Sequence, residues 1–170
     1  MKFDRVYIYP LVVAFEDIDA GGGVHHPNYL KYLERGRSQG LIDSDYSFGK
    51  FMSEGFVFVV AEIISKYLKP AFLEEKLYVV THFTACKKSS IKIYQSITKS
   101  YPKINLSDKE INIFQIPDTI FQAQMRLVCV HLAEKKVIEV PSTLKEALLI
   151  PEPDFFEKNP DKKDVRLSWR

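Results

Sequence analysis

Hydrophobic and polar positions change their period several times along the chain, and each change marks an element. Residues 6–15 are rich in Val, Ile, Tyr and Phe and predict a strand. Pro10 cannot donate to a ladder, so this strand belongs at a sheet edge or carries a bulge there. From Pro27 the period becomes helical. Tyr29, Leu33, Gly36 and Gly40 share one face with Tyr32 alongside, while Lys31, Glu34, Arg35 and Gln39 are polar. Proline suits the first turn, where its missing N–H costs nothing. Each glycine within a helix costs roughly 1 kcal/mol relative to alanine. Two on one face predict a sheet wrapped tightly over it. Polar residues 43–45 end the helix, and residues 48–53 predict a short second one.

Everything from 55 to 140 then reads as β. Residues 56–68 form one long strand ended by Lys69-Pro70, and strands at 77–86 and 91–98 follow, separated by Lys87-Lys88-Ser89-Ser90. The cleanest alternation is at 119–132. There Phe121, Ala123, Met125, Leu127 and Cys129 face one way and Gln122, Gln124 and Arg126 the other, which predicts an antiparallel sheet with one wet face. Lys135-Lys136 turns into a last short strand at 137–140. A helix from 141 to 149 follows, with Ser142 as its N-cap. The order predicts an α+β domain over residues 1–150, an antiparallel sheet of five to six strands wrapped around one long helix. A polar, loop-like insertion at 101–117 interrupts a hairpin, and residues 151–170, with three prolines and many charges, read as a tail.

Composition narrows the partners more than the activity. One domain suits 170 residues of which 46% are hydrophobic and 27% charged. Lys+Arg of 24 against Asp+Glu of 22 gives a formal net charge of +2, which predicts no nucleic-acid footprint. No stretch approaches the ~18 apolar residues of a membrane helix, and the N-terminus mixes charges instead of opening a signal core. Cys86 and Cys129 lie in apolar surroundings and predict buried free thiols of a reducing compartment, hence a cytoplasmic protein. The 9 Tyr and 12 Phe predict an aromatic-rich core or pocket.

Reactive residue types concentrate at 15–29, Phe-Glu-Asp-Ile-Asp-Ala-Gly-Gly-Gly-Val-His-His-Pro-Asn-Tyr, between the first strand and the long helix. This segment supplies carboxylates, imidazoles, flexible backbone and the free N–H groups of a helix start, which suit a developing oxyanion. A carboxylate facing those groups serves as base or nucleophile. The alternative is that the acids cap a turn whose dihedrals the glycines satisfy. The glycines lack the Gly-Lys-Ser/Thr of a phosphate loop. Asp17, Asp19, His25 and His26 show no established metal spacing, so no metal is expected. His82 and His131 fall within strand patterns and read as surface or satisfied core residues. No serine stands in a Gly-x-Ser-x-Gly elbow, and neither cysteine has an adjacent histidine.

Residues 15–30, with Tyr32, Glu34-Arg35 and Arg37, resemble the signature of the hotdog-fold acyl-CoA thioesterases. The similarity is to the 4-hydroxybenzoyl-CoA thioesterase type, and especially to the branch associated with the Tol–Pal cell-envelope system. It continues through residues 55–71, ending Tyr67-Leu68-Lys69-Pro70-Ala71, and residues 123–130, covering 6–149 in all. The resemblance implies an antiparallel sheet around one long helix, dimers or tetramers that join sheets, and active sites at the subunit interface. It places the catalytic carboxylate, the second Asp of Asp-x-Asp, on Asp19. The amide that polarises the thioester carbonyl falls on His26, whose ring also matches the branch, and Asp17 shapes the turn. Val24 and Tyr29 become substrate contacts, and Lys87 and Lys88 the contacts for the coenzyme A phosphates.

The implied substrate is an acyl-CoA, with no cofactor apart from the coenzyme A that the substrate carries and acyl carrier protein as a further partner. Phe15 stands where relatives often have Tyr, Gly23 replaces a branched residue and Gly36 an alanine. Two rival functions keep the same fold: an enoyl-thioester hydratase or dehydratase using Asp19 with His25 or His26, and a non-catalytic protein that binds acyl groups or acyl carrier protein.

Overall fold

The computed structural model describes residues 6–103 and 116–148. In chain order the elements are β1 (Val6–Val12), α1 (His26–Asp43), α2 (Phe48–Ser53), β2 (Phe56–Tyr67), β3 (Lys76–Lys87), β4 (Ser90–Thr98), β5 (Thr119–His131) and α3 (Ser142–Leu148), with a 3₁₀ turn at Phe15–Asp17. Of the insertion expected at 101–117, residues 104–115 lie outside the described residues, as does the tail at 151–170.

The five strands make one antiparallel sheet in the order β1-β3-β4-β5-β2. Both edges follow from this order. Pro10, in register with Tyr78, sits on the β1 edge, where a missing N–H is tolerated. β1 stops at Val12, short of residue 15, because Asp17 folds the chain back. Its Oδ2 accepts from the Ala14 N–H at 3.1 Å, and its N–H donates to the Ala14 carbonyl at 3.0 Å.

α1 lies against the sheet as closely as its glycines allow. A Cβ on Gly36 would stand 2.5 Å from Val79 Cγ1, and one on Gly40 2.8 Å from the Tyr7 ring. Side chains at either position would push the helix off the sheet, which explains why two poor helix formers sit there. Tyr29, Tyr32 and Leu33 pack with Leu77, Val79, Ile97 and Phe121 beneath the first half of the helix. A second cluster, with Phe51, Phe56, Phe83, Cys129 and Leu144, fills the opposite end of the sheet. Cys86 and Cys129 are buried within it as thiols outside any disulfide, as expected, and burial pushes the Cys129 thiol up to about 11.

Arg37 breaks the amphipathic pattern. It is only 8% exposed, and its Nη1 donates to Gln95 Oε1 at 2.9 Å beside Met125 Sδ at 3.2 Å. Gln95 in turn donates to the Leu33 carbonyl at 2.9 Å and to Thr81 Oγ1 at 2.8 Å. Burial lowers the Arg37 pKa while the charge of Glu34 acts in the opposite direction. This polar hub couples α1 to β3, β4 and β5.

Three expectations need correction. Residues 137–140 form no sixth strand. Their hydrogen bonds divide between two places, Ile138 N–H to the Cys129 carbonyl and Val140 N–H to the Lys88 carbonyl, so only an isolated bridge from Val137 to Val130 forms. The wet face of β5 is also incomplete. The register shifts between Ile97 and Thr98, leaving Ile120 as the extra residue of a bulge, buried in the core cluster with Phe121. Gln122, flanked in register by Ser96 and Lys66, is buried as well, so the alternation is clean only further along. Finally, α3 begins at Ser142 itself, one residue earlier than its expected role as N-cap implies. His131 is a satisfied strand histidine, its Nδ1 accepting from the Glu134 N–H at 3.2 Å.

Candidate active site

Between the 3₁₀ turn and α1 the chain makes a tight hairpin. The Asp19 N–H donates to the Gly23 carbonyl at 2.9 Å and the Gly22 N–H returns to the Asp19 carbonyl at 3.0 Å. Gly22 has a φ of +80°, a left-handed conformation that favours glycine. The Asp19 carboxylate stands at the head of this hairpin, 43% exposed. Its Oδ1 accepts from the Gly21 N–H at 2.8 Å, and its Oδ2 lies 3.9 Å from His25 Nδ1. One oxygen is therefore tethered, while the other faces His25 just beyond hydrogen-bond distance.

The hairpin is fixed to the start of α1 through Asp17, which is buried. Its carbonyl accepts from the His25 N–H at 2.8 Å and from Asn28 Nδ2 at 3.1 Å. Asp17 thus shapes the turn, as expected, through its backbone as well as its carboxylate. Its charge also pushes up the pKa of the Tyr32 phenol, to which burial contributes most.

Three consecutive residues decide which amide a ligand meets at the helix start. Pro27 has no N–H, and the Asn28 N–H donates to the His25 carbonyl at 2.9 Å. His26, the first residue of α1, has an N–H among those a helix leaves without an i−4 acceptor. The 18-residue helix adds its positive end there. The His26 ring is exposed, with its centroid 4.8 Å from that of His25. Asp19, His25 and His26 thus occupy one surface, composed of a carboxylate, two imidazoles and a polarised amide. Such a set suits attack on a carbonyl whose oxygen becomes negative.

The segment after β2 closes this surface from the other side. The Val24 N–H donates to the Ala71 carbonyl at 2.9 Å, and Gly23 bridges Phe72. The Ala71 N–H donates to the Tyr29 hydroxyl at 3.0 Å. Val24 and Tyr29 are buried, so they form the wall behind the hairpin and not its open side. Burial raises the Tyr29 pKa, partly offset by the bond from Ala71. Its ring stacks on Phe121 at 5.2 Å and meets Tyr67 edge-on at 5.4 Å, with Tyr67 in turn 4.8 Å from Phe121. Part of the aromatic excess is gathered beside the candidate site.

Lys87 and Lys88 are not brought to it. Both are exposed at the turn between β3 and β4, where the Lys88 carbonyl accepts from the Val140 N–H. The Asp19 hairpin meets the chain at residues 71–72, just before the opposite end of β3. A 12-residue strand separates the two by roughly 35 Å at its usual rise per residue. Within one chain the carboxylate and the lysines face different ends of the sheet. Two residues that sequence reasoning gave no site role also belong here: Asn28, which locks the hairpin to the helix, and Tyr67, whose hydroxyl donates to the His26 carbonyl at 3.0 Å. Their signal was present only as membership of the two matching segments.

Residues 13–148 match the family described as the thioesterase-like superfamily. The chain is 28% identical over 139 residues to the acyl-CoA thioester hydrolase YbgC of Escherichia coli O157:H7, covering 82% of this chain and 92% of that protein. It is 29% identical over 136 residues to the acyl-CoA thioesterase YbgC of Helicobacter pylori, covering 80% and 95%. Among solved structures, Slr0204, a 1,4-dihydroxy-2-naphthoyl-CoA thioesterase from Synechocystis, superposes with a TM-score of 0.70 at 18% identity, covering 85% of this chain and 96% of that one.

Proposed function

This chain belongs to the thioesterase-like superfamily and is a thioester hydrolase with the hotdog fold, and from that premise we propose that it hydrolyses an acyl or aryl thioester of coenzyme A through Asp19 and the His26 amide. The observation that carries this reading is the placement of an exposed carboxylate beside the start of α1, held there by the Asp17 carbonyl. Asp19 attacks the carbonyl carbon itself or takes a proton from an attacking water. Negative charge then develops on the carbonyl oxygen, where the His26 N–H and the helix dipole stabilise it. The carbon–sulfur bond breaks and the thiolate leaves, taking up a proton. Where water attacked, the free acid leaves with it; where Asp19 attacked, a water then hydrolyses the mixed anhydride to release the free acid and restore the carboxylate. The chemistry needs no metal and no cofactor beyond the coenzyme A of the substrate. The hairpin motif supports the 4-hydroxybenzoyl-CoA thioesterase type and its Tol–Pal-associated branch, the YbgC relatives support an acyl-CoA substrate, and acyl carrier protein is a second carrier to consider. The two buried thiols, neither in a disulfide, support a cytoplasmic site of action. No helix among the described residues is long and apolar enough to cross a membrane.

A panel of short, long and aryl acyl-CoA thioesters, with crotonyl-CoA included, tests the activity by release of free thiol. We expect turnover of at least one member. Release of thiol from none of them, or hydration of crotonyl-CoA in its place, would overturn the reading.

A second subunit completes the site in this reading. Among the described residues the β2 edge has no further strand beside it, and Val59, Val60 and Ile63 are exposed along it. An unpaired apolar edge of 12 residues is an aggregation hazard that pairing with a second copy removes. If two β2 strands pair antiparallel about a two-fold axis, the Phe56 end of one lies beside the Tyr67 end of the other. The β3–β4 turn shares the Phe56 end, since β4 begins opposite Val128, which pairs with Val59. Lys87 and Lys88 of one subunit then stand at the same end as Asp19 of the other. The double variant Lys87→Glu/Lys88→Glu is expected to raise KM for acyl-CoA about tenfold, since each exposed contact contributes up to ~1 kcal/mol. Mixed with Asp19→Asn, it should regain activity, because one site of each mixed dimer holds both intact parts. If mixing restores nothing, the shared site is wrong.

A further inference from the structure

Tyr67 ends β2, and its side chain is half exposed, yet its hydroxyl is not simply solvated. It donates to the carbonyl of His26 at 3.0 Å, across 41 residues of sequence. An exposed hydrogen bond of this kind adds little to stability, so stability alone does not account for its geometry. The ring is set from three sides: edge-on to Phe121 at 4.8 Å, edge-on to Tyr29 at 5.4 Å and 6.5 Å from the His26 ring. With χ angles limited by that packing, the hydroxyl is directed at the carbonyl of the residue that opens α1.

That residue also carries the amide at the helix start. The peptide plane holding the His26 N–H is anchored on its other side, where the His25 carbonyl accepts from the Asn28 N–H at 2.9 Å. One step before, the His25 N–H is fixed on the Asp17 carbonyl at 2.8 Å. Tyr67 adds a second restraint, from the sheet, on the carbonyl that follows, which as the first of α1 also accepts within the helix. His26 is therefore held from both neighbouring peptide planes, and the Tyr67 bond is the only one of these restraints that comes from the sheet.

We propose that Tyr67 is a positioning residue for the hydrolysis: its hydroxyl, bonded to the His26 carbonyl, holds the His26 N–H at the angle from which it meets the thioester oxygen. This inference rests on the function proposed above. It adds that β2, the edge strand open to a second copy, also tunes the oxyanion donor. Burial raises the Tyr67 pKa above the ordinary phenol value, so the hydroxyl keeps the proton it donates to the His26 carbonyl.

The test compares Tyr67→Phe with the wild-type chain on the best thioester of the panel, after the wild type has shown turnover. If the wild type is inactive, the functional reading fails and this inference falls with it, whereas an active wild type makes the comparison a test of Tyr67 alone. Tyr67→Phe keeps the ring and loses only the donor. We expect kcat to fall roughly fivefold to twentyfold with KM within about twofold, because misplacement of a stabilising group acts on the transition state. Its ratio to wild type should stay flat between about pH 6 and 9, since the lost group is not titrating there. Tyr67→Leu, which removes the ring as well, should raise KM in addition. The proposal is overturned if Tyr67→Phe keeps kcat within twofold of wild type. It is equally overturned if the loss follows the unfolded fraction in thermal melts, as a merely structural bond would give, or if the ratio changes with pH, as proton transfer by the hydroxyl would give.

Discussion

Replacing Asp19 with Asn should lower kcat/KM by roughly 10²- to 10⁴-fold on the best acyl-CoA substrate, the range that a positioned base contributes. The amide is nearly isosteric with the carboxylate and can still accept from the Gly21 N–H, which now meets Oδ1 at 2.8 Å. What disappears is the negative charge. Both possible roles, attack on the carbonyl and removal of a proton from water, need that charge. Folding should scarcely notice. The side chain is 43% exposed and its one close bond is local to the hairpin, so Tm should stay within about 2 °C of wild type. The decisive measurement is steady-state thiol release, with thermal melting as the control. A variant that keeps kcat/KM within a few-fold of wild type would remove Asp19 from the mechanism. The loss should appear mainly in kcat, because the carboxylate is asked to act in the chemical step and not in holding coenzyme A.

Gln95→Leu should be the most destabilising single change outside the site, by roughly 3–5 kcal/mol. The side chain is fully buried and serves three partners: it accepts from Arg37 Nη1 and donates to the Leu33 carbonyl and to Thr81 Oγ1. Leucine is close in volume, so the effect is one of polarity and not of a cavity. Its removal leaves a buried guanidinium whose charge burial already disfavours without its amide acceptor. For a domain of this size each kcal/mol lowers Tm by about 2–4 °C, so a fall on the order of 10 °C is expected. The double variant Arg37→Met/Gln95→Leu should recover much of that loss, since replacing both buried polar partners by apolar groups removes the uncompensated charge. Thermal unfolding of the two variants and of Arg37→Met measures the coupling directly. A Gln95→Leu chain within about 1 kcal/mol of wild type would mean that the hub is dispensable. A double variant no better than the single one would mean that the charge of Arg37 is not what the amide compensates.

Much of this architecture was legible from local pattern. The period of two gave the long strands, the glycine and tyrosine face gave α1, and residues 48–53 gave α2 with its observed limits. The glycines at 36 and 40 announced a close helix–sheet contact before any partner was known, because a poor helix former on a buried face needs a steric reason. The contact proved to be with Val79 and Tyr7. Elsewhere local pattern misled. Residues 137–140 have strand propensity, but their hydrogen bonds go to Cys129 and Lys88 in separate places. Ile120 lies out of phase with the alternation because β5 is bulged against β4. Arg37 reads as one more polar residue of a helix, and nothing within a few residues of it reveals that Gln95, 58 positions away, receives it.

The opening pattern, then, determined the elements and the place where chemistry concentrates, for a physical reason. Helix and strand periods, the stop at Lys69-Pro70 and the flexible glycines between Asp19 and His26 all act over a few residues, so they are written where they act. The same holds for the hairpin motif, whose carboxylate and helix start are neighbours in the chain. What only the tertiary structure decided is everything that depends on the path of the chain between distant segments. That path sets Lys87 and Lys88 at the far end of β3 from Asp19, makes β2 an apolar edge of the sheet among the described residues, and brings the Tyr67 hydroxyl to the His26 carbonyl. Strand order and register arise from burying one common core, a property of the whole sheet and helix together, and no window of sequence contains it.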